Sequence, residues 1–290
     1  MDGLVQSVAQ VLNFSGSCVQ ITAHTPTVLV VSPLGLPLNE DEINNALLES
    51  YWRVHVVEET GSTQTDLSNL VRAGKAVHGN VLATEYQSAG RGRLDRKFES
   101  PPRSSLLFSF FVTTKFDAVE WGWLPLLAGQ SVIRAMSELF GQKMDGRLSL
   151  KWPNDVLLNG KKVSGILSER VEGGAIIGIG LNVITPRDEL GFDSATSLWI
   201  EGFQLTARDK LLIEILNSFA DFFTKWENKD PALLEEYLSV SSTIGKRVRI
   251  ETPNGFWFEE SAVGIDASGA LVMVDGTLVT VGDVVHLRQA

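Results

Sequence analysis

The spacing of apolar positions along this chain changes several times, and each change marks an element. Arg53 to Glu58 reads as a strand, and Gly61-Ser62-Thr63 then turns into a helix whose Leu67, Leu70 and Val71 share one face, with Gly74 as its stop. Val81 to Tyr86 is a second strand. Ser105 to Val112 is nearly continuous in apolar residues over a strand's length, which predicts burial on both faces. From Pro125 to about Gly141, Leu127, Val132, Ala135, Met136 and Leu139 recur at helical spacing. Three strands follow: Leu148 to Leu158, Lys161 to Arg170 and Ala175 to Val183. Asn159-Gly160 joins the first two as a tight hairpin, and Glu172-Gly173-Gly174 joins the next pair. This reading puts Lys151 and Asp155 on one strand and Lys162 on its partner, with Pro153 at an edge, a bulge or a break.

The longest helix runs from Thr206 to about Asn228, with a Thr206/Asp209 capping signal and a stripe of Leu212, Ile215, Leu216, Phe219, Phe222, Phe223 and Trp226 that reads as core. A second helix starts with Asp230 as cap and Pro231 in its first turn. Beyond Thr243 the pattern shifts to short strands with frequent glycine, at Arg247–Glu251, Phe256–Val263, Ala270–Val274, Leu278–Val281 and Val284–Leu287. Such spacing predicts a separate small β-barrel of about 48 residues. At the other end, Cys18–Ile21 and Thr27–Val31 are short β-leaning runs, and residues 32–37 form a Pro/Gly-marked break. Asn39, Asp41 and Glu42 then open a short helix to about Ser50. The expected division is an N-terminal extension (1–40), an α+β main domain (41–240) and the small barrel (243–290).

Composition narrows the class. With 290 residues, 44% hydrophobic and 21% charged, the chain has the make-up of a globular protein with one sizeable core and a smaller module. A net charge of -10 and no paired helical pattern with a tight turn argue against a nucleic-acid partner. The single cysteine, Cys18, excludes an intramolecular disulfide and thiolate-rich metal sites. No run approaches the roughly 20 apolar residues of a membrane span, and no signal peptide is legible at the N-terminus, so the expected location is cytoplasmic.

Candidate chemistry gathers around Glu85-Tyr86-Gln87 and Gly90-Arg91-Gly92-Arg93. Two glycines alternating with two arginines suit a mobile loop that closes on a carboxylate or phosphate, although a solvated basic turn has the same composition. Ser62 and Thr63 are equally open to reading as helix caps, and Lys162 as an exposed lysine after a hairpin turn.

In order, these segments and Lys151-Trp152-Pro153-Asn154-Asp155, Lys162-Val163-Ser164-Gly165-Ile166-Leu167 and Gly178-Ile179-Gly180-Leu181-Asn182 resemble the biotin protein ligases over roughly residues 50 to 290. The resemblance implies a central mixed sheet of the class II synthetase-like, lipoyl/biotinyl ligase type followed by an SH3-like barrel. It further implies use of ATP, Mg²⁺ and biotin, a biotinyl-5′-adenylate, and transfer to a lysine of a biotin carboxyl carrier domain. By position, Ser62, Thr63, Gln64 and Gln87 correspond to the biotin head site. Arg91, Gly92 and Arg93 correspond to the loop over biotin and adenylate, and Lys162 to the lysine facing the reacting carboxylate. Arg93, Arg96, Lys151, Asn154 and Asn182 fall to the nucleotide, Trp199 to a cover over the base, and Asp155 to the metal. Two positions depart from the family pattern: Gln64 replaces asparagine and Phe98 replaces tryptophan. A form without a repressor's DNA-binding domain is expected. A lipoate or octanoyl ligase or transferase and a non-catalytic biotin sensor are the alternatives; the Gly90–Arg93 loop and the Lys151–Asp155 segment favour biotin over the first, and the intact set of Arg91, Arg93 and Lys162 argues against the second.

Overall fold

The computed structural model describes residues 9–12, 18–21, 35–93, 96–205, 207–252 and 255–287, with 9–12, 18–21 and Asp283 by backbone alone. Residues 1–32 and 33–290 form two compact units. In the first, β1 (Ala9–Leu12) and β2 (Cys18–Ile21) pair antiparallel. The predicted run Thr27–Val31 lies outside the described residues.

The second unit is built on seven strands: β3 (Arg53–Thr60), β4 (Asn80–Gln87), β5 (Ser105–Val112), β6 (Leu148–Lys151), β7 (Asp155–Leu158), β8 (Lys161–Val171) and β9 (Gly174–Asn182). They lie in the order β3-β4-β5-β9-β8-β7-β6; β3 and β4 are parallel and every other neighbouring pair is antiparallel. Its helices are α1 (Glu40–Ala46), α2 (Thr63–Arg72), α3 (Trp123–Phe140), α4 (Arg208–Glu227) and α5 (Ala232–Val240).

Alternation along the two central strands separates the faces. Leu106, Phe108, Phe110 and Val112 of β5 and Ile177, Ile179 and Leu181 of β9 join α3 and α4 in the main core. Each such buried side chain stabilises the fold by roughly 1.5–3 kcal/mol. The other face buries Phe111 and Ile176 against Leu67 of α2. Elsewhere that face carries Ser109, Gly178, Gly180 and Asn182 beside the single buried Leu107, so packing on the first face supports an open surface on the second.

A buried ion pair fastens the start of this unit. Arg208, at 0% exposure, donates to the Glu85 carboxylate, to Ser105 O (2.7 Å) and to Leu36 O (2.9 Å), while Leu38 N–H donates to Glu85 Oε1 at 2.5 Å. Four separate segments therefore meet at one guanidinium and one carboxylate.

Three expectations are corrected. Leu148–Leu158 is two strands, because the chain turns back through the cis Trp152–Pro153 peptide; Lys151 then pairs across from Asp155. Pro153 is the break. Helix α4 starts at Arg208 after Ala207 with no side-chain cap, and Asp209 instead accepts from Asn39 N–H at 3.3 Å; Thr206 is outside the described residues. Asp230 does accept from Ala232 N–H (2.9 Å), but Pro231 is the capping residue of α5.

The C-terminal strands are β10 (Arg247–Glu251), β11 (Trp257–Ile265), β12 (Leu271–Met273), β13 (Leu278–Val279) and β14 (Asp283–His286). They form an antiparallel sheet in the order β13-β12-β11-β10-β14, and among the described residues its two edges do not pair. Two indoles hold it to the main sheet and α3: Trp152 Nε1 donates to Gly269 O (3.2 Å) and Trp123 Nε1 to Asp266 O (3.0 Å). Between them the backbones touch, since a Cβ on Gly269, whose φ is +84°, would lie 2.3 Å from the Gly122 carbonyl carbon. Among the described residues, no helix is long and apolar enough to cross a membrane.

Candidate active site

The open face of the main sheet forms the floor of a cavity of about 1310 Å³. Every predicted site residue lines it except Trp199, which packs partly buried against the core while its N–H donates to Val183 O. The resemblance put Trp199 over the base; here it does not line the cavity.

The helix start is presented to this cavity by the strand-to-helix turn after β3. Ser62 precedes α2 without making a side-chain cap bond, so the capping reading fails for its hydroxyl. Thr63 N–H and Oγ1 both reach Gln87 Oε1, at 2.9 and 3.1 Å, which joins the helix start to the end of β4. Gln64 is buried. Its Nε2 donates to Ile176 O (3.1 Å) and its Oε1 accepts from Ser109 Oγ (3.2 Å). The added methylene thus reaches the scaffold over Gly178, where a Cβ would lie only 2.6 Å from Gln64 Oε1.

The glycine-arginine loop folds back on itself through Phe98 N–H to Gly90 O (3.0 Å) and Gly92 N–H to Arg96 O (2.7 Å). Gly90 is required, because a Cβ there would sit 2.2 Å from Phe98 O. The Phe98 ring covers Gly180, leaving 2.7 Å to where a Cβ would be. Arg91 pairs with Glu169 through two contacts (2.8 and 3.3 Å), and Arg93 donates to Asn154 Oδ1 and to Gly282 O, each at 3.1 Å.

Opposite strands bring the remaining charges. The Lys162 ammonium lies 2.5 Å from Asp155 Oδ1 across the β7–β8 hairpin, off the hydrogen-bond direction, and both side chains keep some exposure. Gly165 makes room for it, with a would-be Cβ at 3.1 Å from Lys162 Cε. Asn154 Nδ2 donates to Ile166 O at 2.7 Å, which leaves its oxygen for Arg93. Asn182 is engaged at both ends, donating to Thr196 O (3.0 Å) and accepting from Ser105 Oγ (3.4 Å). Beneath Lys151, Trp152 N–H donates to Thr243 Oγ1 (3.0 Å), which contacts His286 Nε2 at 3.2 Å. Burial, with Lys151 and Lys246 nearby, pushes the His286 imidazole down to about 4. A neutral ring can accept the Thr243 proton while the Thr243 oxygen accepts the Trp152 N–H.

The sequence model of the biotin/lipoate A/B protein ligase family matches residues 56–183. A biotin–[acetyl-CoA-carboxylase] ligase of Mycobacterium tuberculosis is 38% identical over 259 residues, covering 87% of this chain and 97% of the relative. This chain is a biotin protein ligase family member. Solved biotin protein ligases agree: that of Aquifex aeolicus in complex with biotin and ATP has a TM-score of 0.67 and 28% identity, covering 81% of this chain and 99% of its own. That of Leishmania major with biotinyl-5-AMP has a TM-score of 0.56 and 27% identity, covering 81% of this chain and 98% of its own.

As a biotin protein ligase the chain also places at the cavity residues that sequence reasoning passed over. Ser109 lies within a run read as apolar; its hydroxyl, on the face opposite the Phe108 and Phe110 side chains, was the available signal. Outside the cavity lining, Glu169 of β8 and Gly282, just before β14, hold the two loop arginines, contacts made by chain reversal that no local spacing announces.

Proposed function

We propose that this biotin protein ligase joins biotin to ATP as biotinyl-5′-adenylate and passes the biotinyl group to a lysine of a biotin carboxyl carrier domain. The observation that carries the reading is the meeting, at one cavity, of a hydroxyl and amide group (Ser62, Thr63, Gln87) with three cations (Arg91, Arg93, Lys162). A cyclic urea needs the first; a carboxylate approaching a triphosphate needs the second, since the two anions repel until neutralised and aligned.

In this reading a biotin carboxylate oxygen attacks the α-phosphorus, the bond to the departing pyrophosphate breaks, and an acyl phosphate remains. Lys162 and Arg93 neutralise charge at that centre, and Arg91 with Gly92 closes the loop over the product. Arg96, Lys151, Asn154 and Asn182 serve the nucleotide. The carrier amine then attacks the acyl carbon, AMP leaves with the electron pair of the C–O bond, and the amine loses a proton. Among the described residues, no group of three or more His, Cys, Asp or Glu could build a metal site, and Asp155 is already paired with Lys162. A Mg²⁺ ion bound with the nucleotide would be held by Asp155, whose carboxylate it would share with Lys162, and would neutralise phosphate charge.

The five C-terminal strands are assigned to an SH3-like barrel domain (243–290), following a catalytic domain (41–240) and the extension (1–40); their number and antiparallel order support this. A net charge of -10 weighs against a nucleic-acid partner; a cytoplasmic location is part of the same proposal. The test is incubation with ATP, Mg²⁺, biotin and a carrier domain, followed by mass spectrometry of the carrier lysine, with lipoate in parallel. Biotinylation of that lysine is the expected result. Modification by lipoate alone, or by neither, overturns the assignment.

A further inference from the structure

We infer that Ser109 is a positioning residue that turns the Thr63 hydroxyl into a hydrogen-bond acceptor for the N–H groups of a cyclic urea. The inference rests on the ligase reading and adds to it a determinant of ring selectivity on β5.

Proton directions follow from two groups that have no choice. The Ile176 carbonyl can only accept, so the Gln64 amide turns its nitrogen there (3.1 Å) and its oxygen toward Ser109. The Thr63 backbone N–H can only donate, so Gln87 turns its oxygen to Thr63 (2.9 Å). Ser109 Oγ is 3.2 Å from Gln64 Oε1 and 2.8 Å from Thr63 Oγ1. Gln64 Oε1 is buried and has no other donor partner among the described residues, so the Ser109 proton goes to it. Ser109 then faces Thr63 with lone pairs only. Two oxygens that face each other with lone pairs at 2.8 Å repel unless a proton lies between them, so the Thr63 proton goes to Ser109 Oγ in preference to Gln87 Oε1 at 3.1 Å, and the remaining Thr63 lone pairs are left for the cavity. With its oxygen held by Thr63, Gln87 keeps its amide N–H groups as donors, the complement of a urea oxygen.

A urea ring presents N–H donors beside a carbonyl; a dithiolane ring presents neither. The relay thus selects for the first and gains nothing from the second. Ser109 is held at this spot because β5 pairs with β9 at Gly178, where any side chain would displace Gln64.

The experiment is a double-mutant cycle on biotinyl-adenylate formation, with Ser109→Ala, Thr63→Ala and both together, and Ser109→Cys as a near-isosteric weak donor. Desthiobiotin, which keeps the urea, and lipoate are run beside biotin. For Ser109→Ala the expected result is a roughly tenfold or greater rise in KM for biotin and desthiobiotin with kcat little changed, and a smaller rise for Ser109→Cys. In the Thr63→Ala background, Ser109→Ala should cost less than twofold, because nothing is left for it to orient. Equal losses in both backgrounds, or a fall in kcat with KM unchanged, overturn the relay; if Ser109→Ala does not fold, the Ser109→Cys cycle decides by the same criterion. A wild-type protein that makes no biotinyl-adenylate sinks the underlying reading instead, so the two failures are distinct.

Discussion

Glu85→Gln should be among the most destabilising single changes in this protein. Arg208 and Glu85 are 0% and 3% exposed, and the carboxylate also receives Leu38 N–H, so the substitution leaves a guanidinium charge buried among carbonyls. Removing one partner of a buried pair costs roughly 3–5 kcal/mol, a large part of the roughly 5–15 kcal/mol that holds a typical domain folded. At about 2–4 °C per kcal/mol for a unit of this size, the melting temperature should fall by about 6–20 °C. Calorimetry with urea titration at constant m-value measures both quantities. A second variant tests the cause. Among the described residues Arg208 Nε has no hydrogen-bond partner, so the pair is incompletely satisfied, and Glu85→Leu with Arg208→Met should recover at least half of the loss. A Glu85→Gln cost under about 1 kcal/mol, the size of an ordinary hydrogen bond, would refute the buried-charge argument; so would a double variant as unstable as the sum of the singles.

Lys162→Ala and Arg93→Ala should each slow ATP-dependent pyrophosphate release by roughly 10²–10³-fold, the cost of losing one preorganised charge at a reacting centre, without lowering the melting temperature; unchanged rates remove their assigned roles. Glu169→Gln frees Arg91 from a half-exposed pair worth about 0.2–1 kcal/mol, so biotin affinity measured by titration calorimetry should change by less than about fivefold. Below its ordinary value of 6.5 the unfolded chain protonates His286 while the folded one, held near 4, does not; stability is therefore complete above pH 6.5 and falls between those values. Because the residue keeps partial solvent exposure, the loss should be about 1 kcal/mol, and His286→Gln should flatten that part of the stability profile. Amide exchange in residues 90–98 should slow when biotin and ATP are added, since ligand orders a glycine-rich loop; equal exchange in both states removes its role as a lid.

Much of the main sheet was legible because its elements announce themselves locally. The boundaries of β5 follow from its apolar run, and Asn159-Gly160 takes φ of 51° and 74°, as a two-residue hairpin requires. The turn at Trp152-Pro153 was not legible as a reversal, because apolar residues on both sides continue one strand-like pattern. A cap at Asp209 was misread for a related reason: its partner is Asn39, 170 residues away in sequence. Site residues in motifs were found; those that act by reaching across the fold, Ser109, Glu169 and Gly282, were not. The barrel expectation rested on strand count and spacing, which set the number of strands but not whether the outer two meet.

The glycine-to-glycine contact at 122 and 269 limits how this protein can be re-engineered or can diverge. A C-terminal segment exchanged from a relative would need a glycine at the place of Gly269, and carbonyls aligned with the Trp123 and Trp152 indoles. Lacking either, the graft would shift the strand end that carries Lys151 and the turn that carries Asn154. Compatibility between the two parts is therefore set at a seam outside the cavity, and a chimera can lose nucleotide handling with every cavity residue intact.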